Sequence, residues 1–106
     1  MEEQDYNGWT NRETWATALH MDNDYGLLNN ALEYVRDEIA TTKEPNIYDL
    51  AEGFRYQLEE DLLTFENVRE NRSLWLMLTD IGSLYRVNWR EIAQHYVDQL
   101  TERVSA

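Results

Sequence analysis

The sequence predicts an all-α protein, one domain over residues 1–106 built from about five helices. Three observations carry this. Apolar residues recur at helical spacing along most of the chain, and the one proline and four glycines fall mostly where breaks are due. Two stretches, Thr10-Asn11-Arg12-Glu13 and Asn88-Trp89-Arg90-Glu91, have the form of helix-capping boxes. At 106 residues, any division would leave pieces too small to bury a core.

The first helix is expected to open at Thr10, its hydroxyl accepting from the backbone N–H three residues on while Glu13 reaches back. Trp9 stands where a hydrophobic staple belongs. Trp15, Ala18, Leu19 and Asp22 follow at i, i+3, i+4 and i+7, which predicts a core position for Trp15. Both tryptophans read as anchors of a helix start. The other reading of Trp9 is a contact patch, since Trp is favoured at interface hot spots.

A second helix is expected over about 24–41, with Leu28, Leu32, Val35 and Ile39 as its seam. Pro45 drives Glu44 out of helical space, and Asn46 caps a third helix with Asp49 in its first turn. Leu50, Phe54, Leu58, Leu62 and Phe65 mark its core face, with Gly53 inside it. Residues 66–72 read as a polar connection. The apolar run Leu74 to Leu78 then marks either a central helix or a buried strand, and its Leu and Met content favours a fourth helix over 73–81, closed by Gly82. The last helix opens at Asn88 and runs to about Val104 on a stripe of Trp89, Ile92, Ala93, Tyr96, Val97 and Leu100.

Charge bounds the function. There are 21 acids against 9 bases, a formal net charge of −12. Phosphate neutralisation needs the opposite sign, so direct binding to nucleic acid or to an anionic membrane is disfavoured. No stretch approaches the ~18 apolar residues of a membrane span. Glu2-Glu3-Gln4-Asp5 is the reverse of a secretion signal, so a cytoplasmic setting is expected. With no cysteine, a disulfide scaffold, a thiolate zinc site and a thiol nucleophile are excluded.

Little in the sequence marks an enzyme. No phosphate loop or nucleophile elbow is present. His20 with Asp24 and Glu91 with His95 are i, i+4 pairs, each expected to share a helix face rather than hold a metal. Asp22, Asp24 and Glu33 echo positions one, three and twelve of a calcium loop, but the glycine falls fifth and residues 28–33 look helical. No cofactor is expected, and a metal-dependent regulatory or enzymatic domain around those three acids is the alternative reading.

The distribution of acid is the remaining signal. From Glu44 to Glu66 seven carboxylates face one base, Arg55. Asp49, Glu52, Glu59, Glu60 and Glu66 avoid the apolar stripe and should form an outward ridge, extended by Asp37 and Glu38 if the second and third helices lie antiparallel. A rigid carboxylate array imitates the field of a phosphate backbone and is steered to basic surfaces.

The stretch Asn7-Gly8-Trp9-Thr10-Asn11-Arg12-Glu13-Thr14-Trp15, with Leu19 to Asp24 and Val87 to Ala93, resembles a family of small proteins from phages, prophages and mobile elements that share an Asn-Gly-Trp-Thr-Asn-x-Glu-Thr-Trp opening. The likeness covers the two ends of the chain and brings no catalytic residue with it. What it implies is a setting in which small acidic proteins block restriction or CRISPR complexes. The expectation is therefore a monomeric or dimeric, non-catalytic inhibitor that enters the basic groove of a nucleic-acid-binding partner through Asp37, Glu38, Asp49, Glu52, Glu59, Glu60 and Glu66, with Trp9 as a further contact. A plain assembly module, acidic only for solubility, is the bland alternative.

Overall fold

The computed structural model describes residues 6–42 and 44–105. Six α-helices follow in order: α1 (Arg12–Asn23), α2 (Tyr25–Thr42), α3 (Ile47–Arg55), α4 (Phe65–Glu70), α5 (Arg72–Ile81) and α6 (Trp89–Ser105). A π-helical segment, Tyr56–Leu62, continues α3, and a 3-10 turn, Leu84–Arg86, precedes α6. The all-α expectation is met. Among the described residues the only extended pairing is a single bridge between Tyr6 and Trp9.

α6 is the axis of the core. It lies against α3 most extensively and against α2 and α1 as well. Ile92, Ala93 and Tyr96 are fully buried on it, meeting Leu50 and Phe54 of α3 and Val35 of α2 among the other fully buried residues. Each such large apolar side chain contributes about 1.5–3 kcal/mol of transfer free energy. Phe54 stacks 5.7 Å from Tyr96 and meets Tyr34 of α2 edge-on at 5.2 Å. Leu32 and Val35 are buried on α2 with Leu28 and Ile39 partly so, as its periodicity predicts.

Five local expectations are corrected. The N-cap of α1 is Asn11, not Thr10: Asn11 Oδ1 accepts from Thr14 N at 2.8 Å. On this helix Thr14, Thr17, Ala18 and Met21 face inward while Leu19 is exposed. Trp15 is accordingly half-buried rather than central, with its ring 4.9 Å from that of Tyr6.

The third helix does not run on to Phe65. Successive apolar positions at 50, 54, 58 and 62 each overshoot an α-helical turn by about 40°, so an α-helix would carry the stripe off the core. Widening to a π-helix absorbs the drift and leaves Leu58 and Leu63 buried, with Leu63 N donating to Leu58 O at 2.8 Å. Thr64 then caps α4 by accepting from Asn67 N, which leaves Phe65 77% exposed. The connection expected at 66–72 is thus mostly helix.

α5 is not central either. Only Met77 and Ile81 are buried on it, while Trp75 and Leu76 are about half exposed at 46% and 47%. It ends at Gly82, whose φ of 89° suits a residue without Cβ.

Candidate functional site

The N-terminal motif is a structural clasp. Asn7 and Gly8 both have positive φ (53° and 91°), the signature of a tight turn that reverses the chain between Tyr6 and Trp9. Tyr6 N donates to Trp9 O at 3.0 Å and Trp9 N to Tyr6 O at 2.8 Å. The turn sets Trp9, half-buried, edge-on to His95 at 5.2 Å. Asn-Gly is a strong sequence signal for such a turn, and reading the stretch as a helix start alone passes over it.

The two capping motifs then interlock. Asn88 Oδ1 accepts from Glu91 N at 3.2 Å, but the Glu91 carboxylate does not close its own box: it accepts from Thr10 N at 3.1 Å. Thr14 Oγ1 accepts from Asn88 N at 2.9 Å while donating to Asn11 Oδ1 at 2.7 Å. Asn11 Nδ2 donates to Arg86 O, and Glu13 pairs with Arg86 at 3.2 Å. Each motif completes the other across more than 70 residues of chain.

Both histidines are engaged at long range rather than in the i, i+4 pairs that spacing suggested. His20 Nε2 lies 2.8 Å from Asp80 Oδ2, and Asp80 Oδ1 also accepts from Arg12 at 2.9 Å. Hydrogen bonding from His20, against a smaller burial effect, holds the Asp80 carboxyl below its usual range. His95 Nε2 lies 3.0 Å from Asp22 Oδ2, and the buried Tyr96 hydroxyl donates to Asp22 Oδ1 at 2.7 Å. Burial raises the Asp22 pKa, but the bonds from His95 and Tyr96 outweigh it and the net shift is downward. Burial and then Asp22 push the Tyr96 phenol far above its ordinary value. Asp24 Oδ1 meanwhile accepts from Leu27 N at the start of α2. Asp22, Asp24 and Glu33 therefore point to three different tasks and form no calcium loop, because α2 begins at Tyr25.

Of the acidic residues expected on a ridge, Glu52, Glu59 and Glu60 converge on Arg55 at 2.8, 3.4 and 2.9 Å. The reach to Glu60 at i+5 is made possible by the π-helical turn. Those three bonds, Glu52 first, raise the Arg55 pKa beyond its normal value. One cation thus offsets part of the field where the ridge was expected to be strongest. Asp49 is exposed in the first turn of α3, its N–H taken by Asn46 Oδ1 at 3.2 Å. Glu66 is exposed at the start of α4. Glu38 is half-buried; burial first, then Glu38 and Asp49, raise the Tyr34 phenol.

Asp37 has a different setting. It lines a cleft of about 480 Å³ between α2 and the π-helical segment. Glu33 and Asp61 line the same cleft, Met21, Leu27, Leu58 and Leu62 supply its apolar part, and Tyr34, Asn30 and Gln57 complete it. No lysine or arginine is in the lining. Glu33 and Asp37, four residues apart on one helix, repel each other at a cost of about 0.2–0.5 kcal/mol, and Asp61 adds a third carboxylate opposite. The sequence pointed to Asp37 but not to Glu33 or Asp61 as its companions, because only the widened turn after Arg55 turns Asp61 toward α2.

Among the described residues no helix is long and apolar enough to cross a membrane. No curated protein and no solved structure matches the chain. Residues 2–103 match one family, and the chain belongs to it: DUF7249, a family of unknown function.

Proposed function

We propose that the protein is a small non-catalytic binding module of the cytoplasm that docks on a basic, nucleic-acid-handling partner and competes there with nucleic acid. The observation that carries this reading is the cleft of Glu33, Asp37 and Asp61, three carboxylates without a basic neighbour in the lining. A like-charged set of this kind is destabilising to the free chain and becomes favourable when an arginine or lysine enters it. The apolar part of the cleft suits the aliphatic stem of such a side chain. Glu38, Asp49, Glu52, Glu59, Glu60 and Glu66 extend the anionic field around it and steer the encounter, and Trp9 lies outside this surface as part of the clasp. The phage and mobile-element setting implied by the N-terminal motif makes a restriction or CRISPR complex the partner class of choice.

The test is capture of such complexes by the tagged protein at low salt and at ~0.5 M salt, where screening shortens to a few ångströms. Partner and protein should separate in high salt, and DNA should compete with the protein for the partner. Glu33→Lys/Asp37→Lys should lose the partner while keeping its helical circular dichroism. Undiminished capture by that variant would overturn the reading.

A further inference from the structure

We propose that the α4–α5 face is a second docking surface whose occupant is the acidic cleft of another copy of this chain. The face is the chemical complement of the cleft. Phe65 and Trp75 are exposed on it at 77% and 46%. Arg69 stacks over the Phe65 ring at 5.8 Å and Arg72 over the Trp75 ring at 5.9 Å. Val68, Arg69, Glu70, Arg72 and Trp75 line a hollow of about 490 Å³ there. In a chain of net charge −12, these are two of the few arginines not held by a close carboxylate among the described residues; Arg90, over the Tyr48 ring at 5.4 Å, and Arg36 are others and line separate hollows. Arg12, Arg55 and Arg86 are each tied to carboxylates at 2.8–3.4 Å. Arg69 has only a loose contact with its neighbour Glu70 at 3.7 Å, and among the described residues no ion pair is seen for Arg72.

An arginine stacked on an aromatic ring keeps its guanidinium edge open to a carboxylate while its planar face is already desolvated. Exposed aromatic and arginine side chains grouped in this way are the composition of interface hot spots. The cleft offers the matching half: carboxylates of Glu33, Asp37 and Asp61 beside the apolar Leu27, Leu58 and Leu62. This inference rests on the reading of that cleft as a receptor for arginine or lysine. Because face and cleft are different surfaces of one chain, the contact is heterologous and links copies head to tail. Self-repulsion of two chains of −12 opposes it at low ionic strength. At about 0.15 M salt the Debye length is near 8 Å, which screens the distant charges and leaves the short cleft-to-arginine pairs.

Sedimentation of the purified full chain tests this with no other partner present. At about 0.15 M salt the weight-average mass should rise with protein concentration. Arg69→Glu/Arg72→Glu alone and Glu33→Lys/Asp37→Lys alone should each remain monomeric with unchanged circular dichroism. An equimolar mixture of the two variants should associate again, because each then carries the complement of the other. A wild-type chain that is monomeric throughout, or a mixture that fails to associate, overturns the proposal and leaves the face to a different occupant. The arginine variant should still bind the basic partner of the cleft, so loss of self-association and loss of partner binding are separable results.

Discussion

The backbone N–H of Asn88 is bonded at 2.9 Å to the side-chain oxygen of Thr14, a residue fully buried on the first turn of α1. The same hydroxyl donates to Asn11 Oδ1, so one oxygen joins the caps of the first and last helices. Thr14→Val keeps the volume and β-branching but removes both bonds. It leaves the Asn88 N–H without its acceptor, and unmade bonds of this kind cost about 1–3 kcal/mol each. Chemical denaturation should show a loss in that range with an unchanged m-value. Thr14→Ser, which keeps the hydroxyl, should recover most of it.

Gly53 lets α2 and α3 approach. A Cβ there would overlap the Tyr34 hydroxyl and come within 2.6 Å of its ring carbon Cζ. Glycine to alanine in a helix interior ordinarily gains about 1 kcal/mol. Here Gly53→Ala should destabilise instead, because the half-buried Tyr34 ring must leave its edge-on contact with Phe54. In a Tyr34→Ala background the sign should reverse and the alanine should stabilise. A double-mutant cycle by thermal unfolding reads this directly. Since Tyr34 also lines the acidic cleft, the single variant should weaken partner binding as well.

The π-helical segment should be the most readily opened part of the long α3 continuation. Its hydrogen bonds have poorer geometry than those of an α-helix, and such turns recur at functional sites. Amides of Tyr56–Leu62 should therefore exchange with deuterium faster than those of the buried stretch Ile92–Tyr96 on α6. Binding of a basic partner should slow the exchange of the segment, since Gln57 and Asp61 line the cleft. Equal protection of the two stretches in the free chain would contradict this.

Helix class and order were legible because amphipathic periodicity and polar caps are local signals. Asn46, Asn88 and Gly82 all act at the ends expected of them. What escaped was set by geometry between distant elements. The His95 partner is Asp22 rather than Glu91, because α1 and α6 cross where the two meet. The Glu91 carboxylate closes on Thr10 rather than on its own cap for the same reason. The π-helical turn had a local signal, a four-residue apolar spacing repeated three times. Its consequence did not: the regrouping of Glu59 and Glu60 around Arg55, and of Asp61 with Glu33 and Asp37, depends on where α2 lies.

The Asp22 pair predicts an acid-side loss of stability. Burial disfavours the Asp22 carboxylate, but bonds from His95 and Tyr96 more than compensate, so its pKa in the folded chain is depressed. In the unfolded chain it is about 3.9. A depressed folded value means that the unfolded state takes up the proton first as pH falls. The stabilisation is therefore complete above pH ~4–5 and disappears as pH drops through the folded value. Asp22→Asn keeps an acceptor for Tyr96 and removes the charge. The stability difference between wild type and this variant should shrink steadily below pH 4. Taking the difference cancels the relief of self-repulsion that protonation of the other carboxylates brings to both chains. Urea denaturation across pH 2.5–7 measures it, and a difference that grows toward low pH would show that the carboxylate is strained rather than held by its two partners.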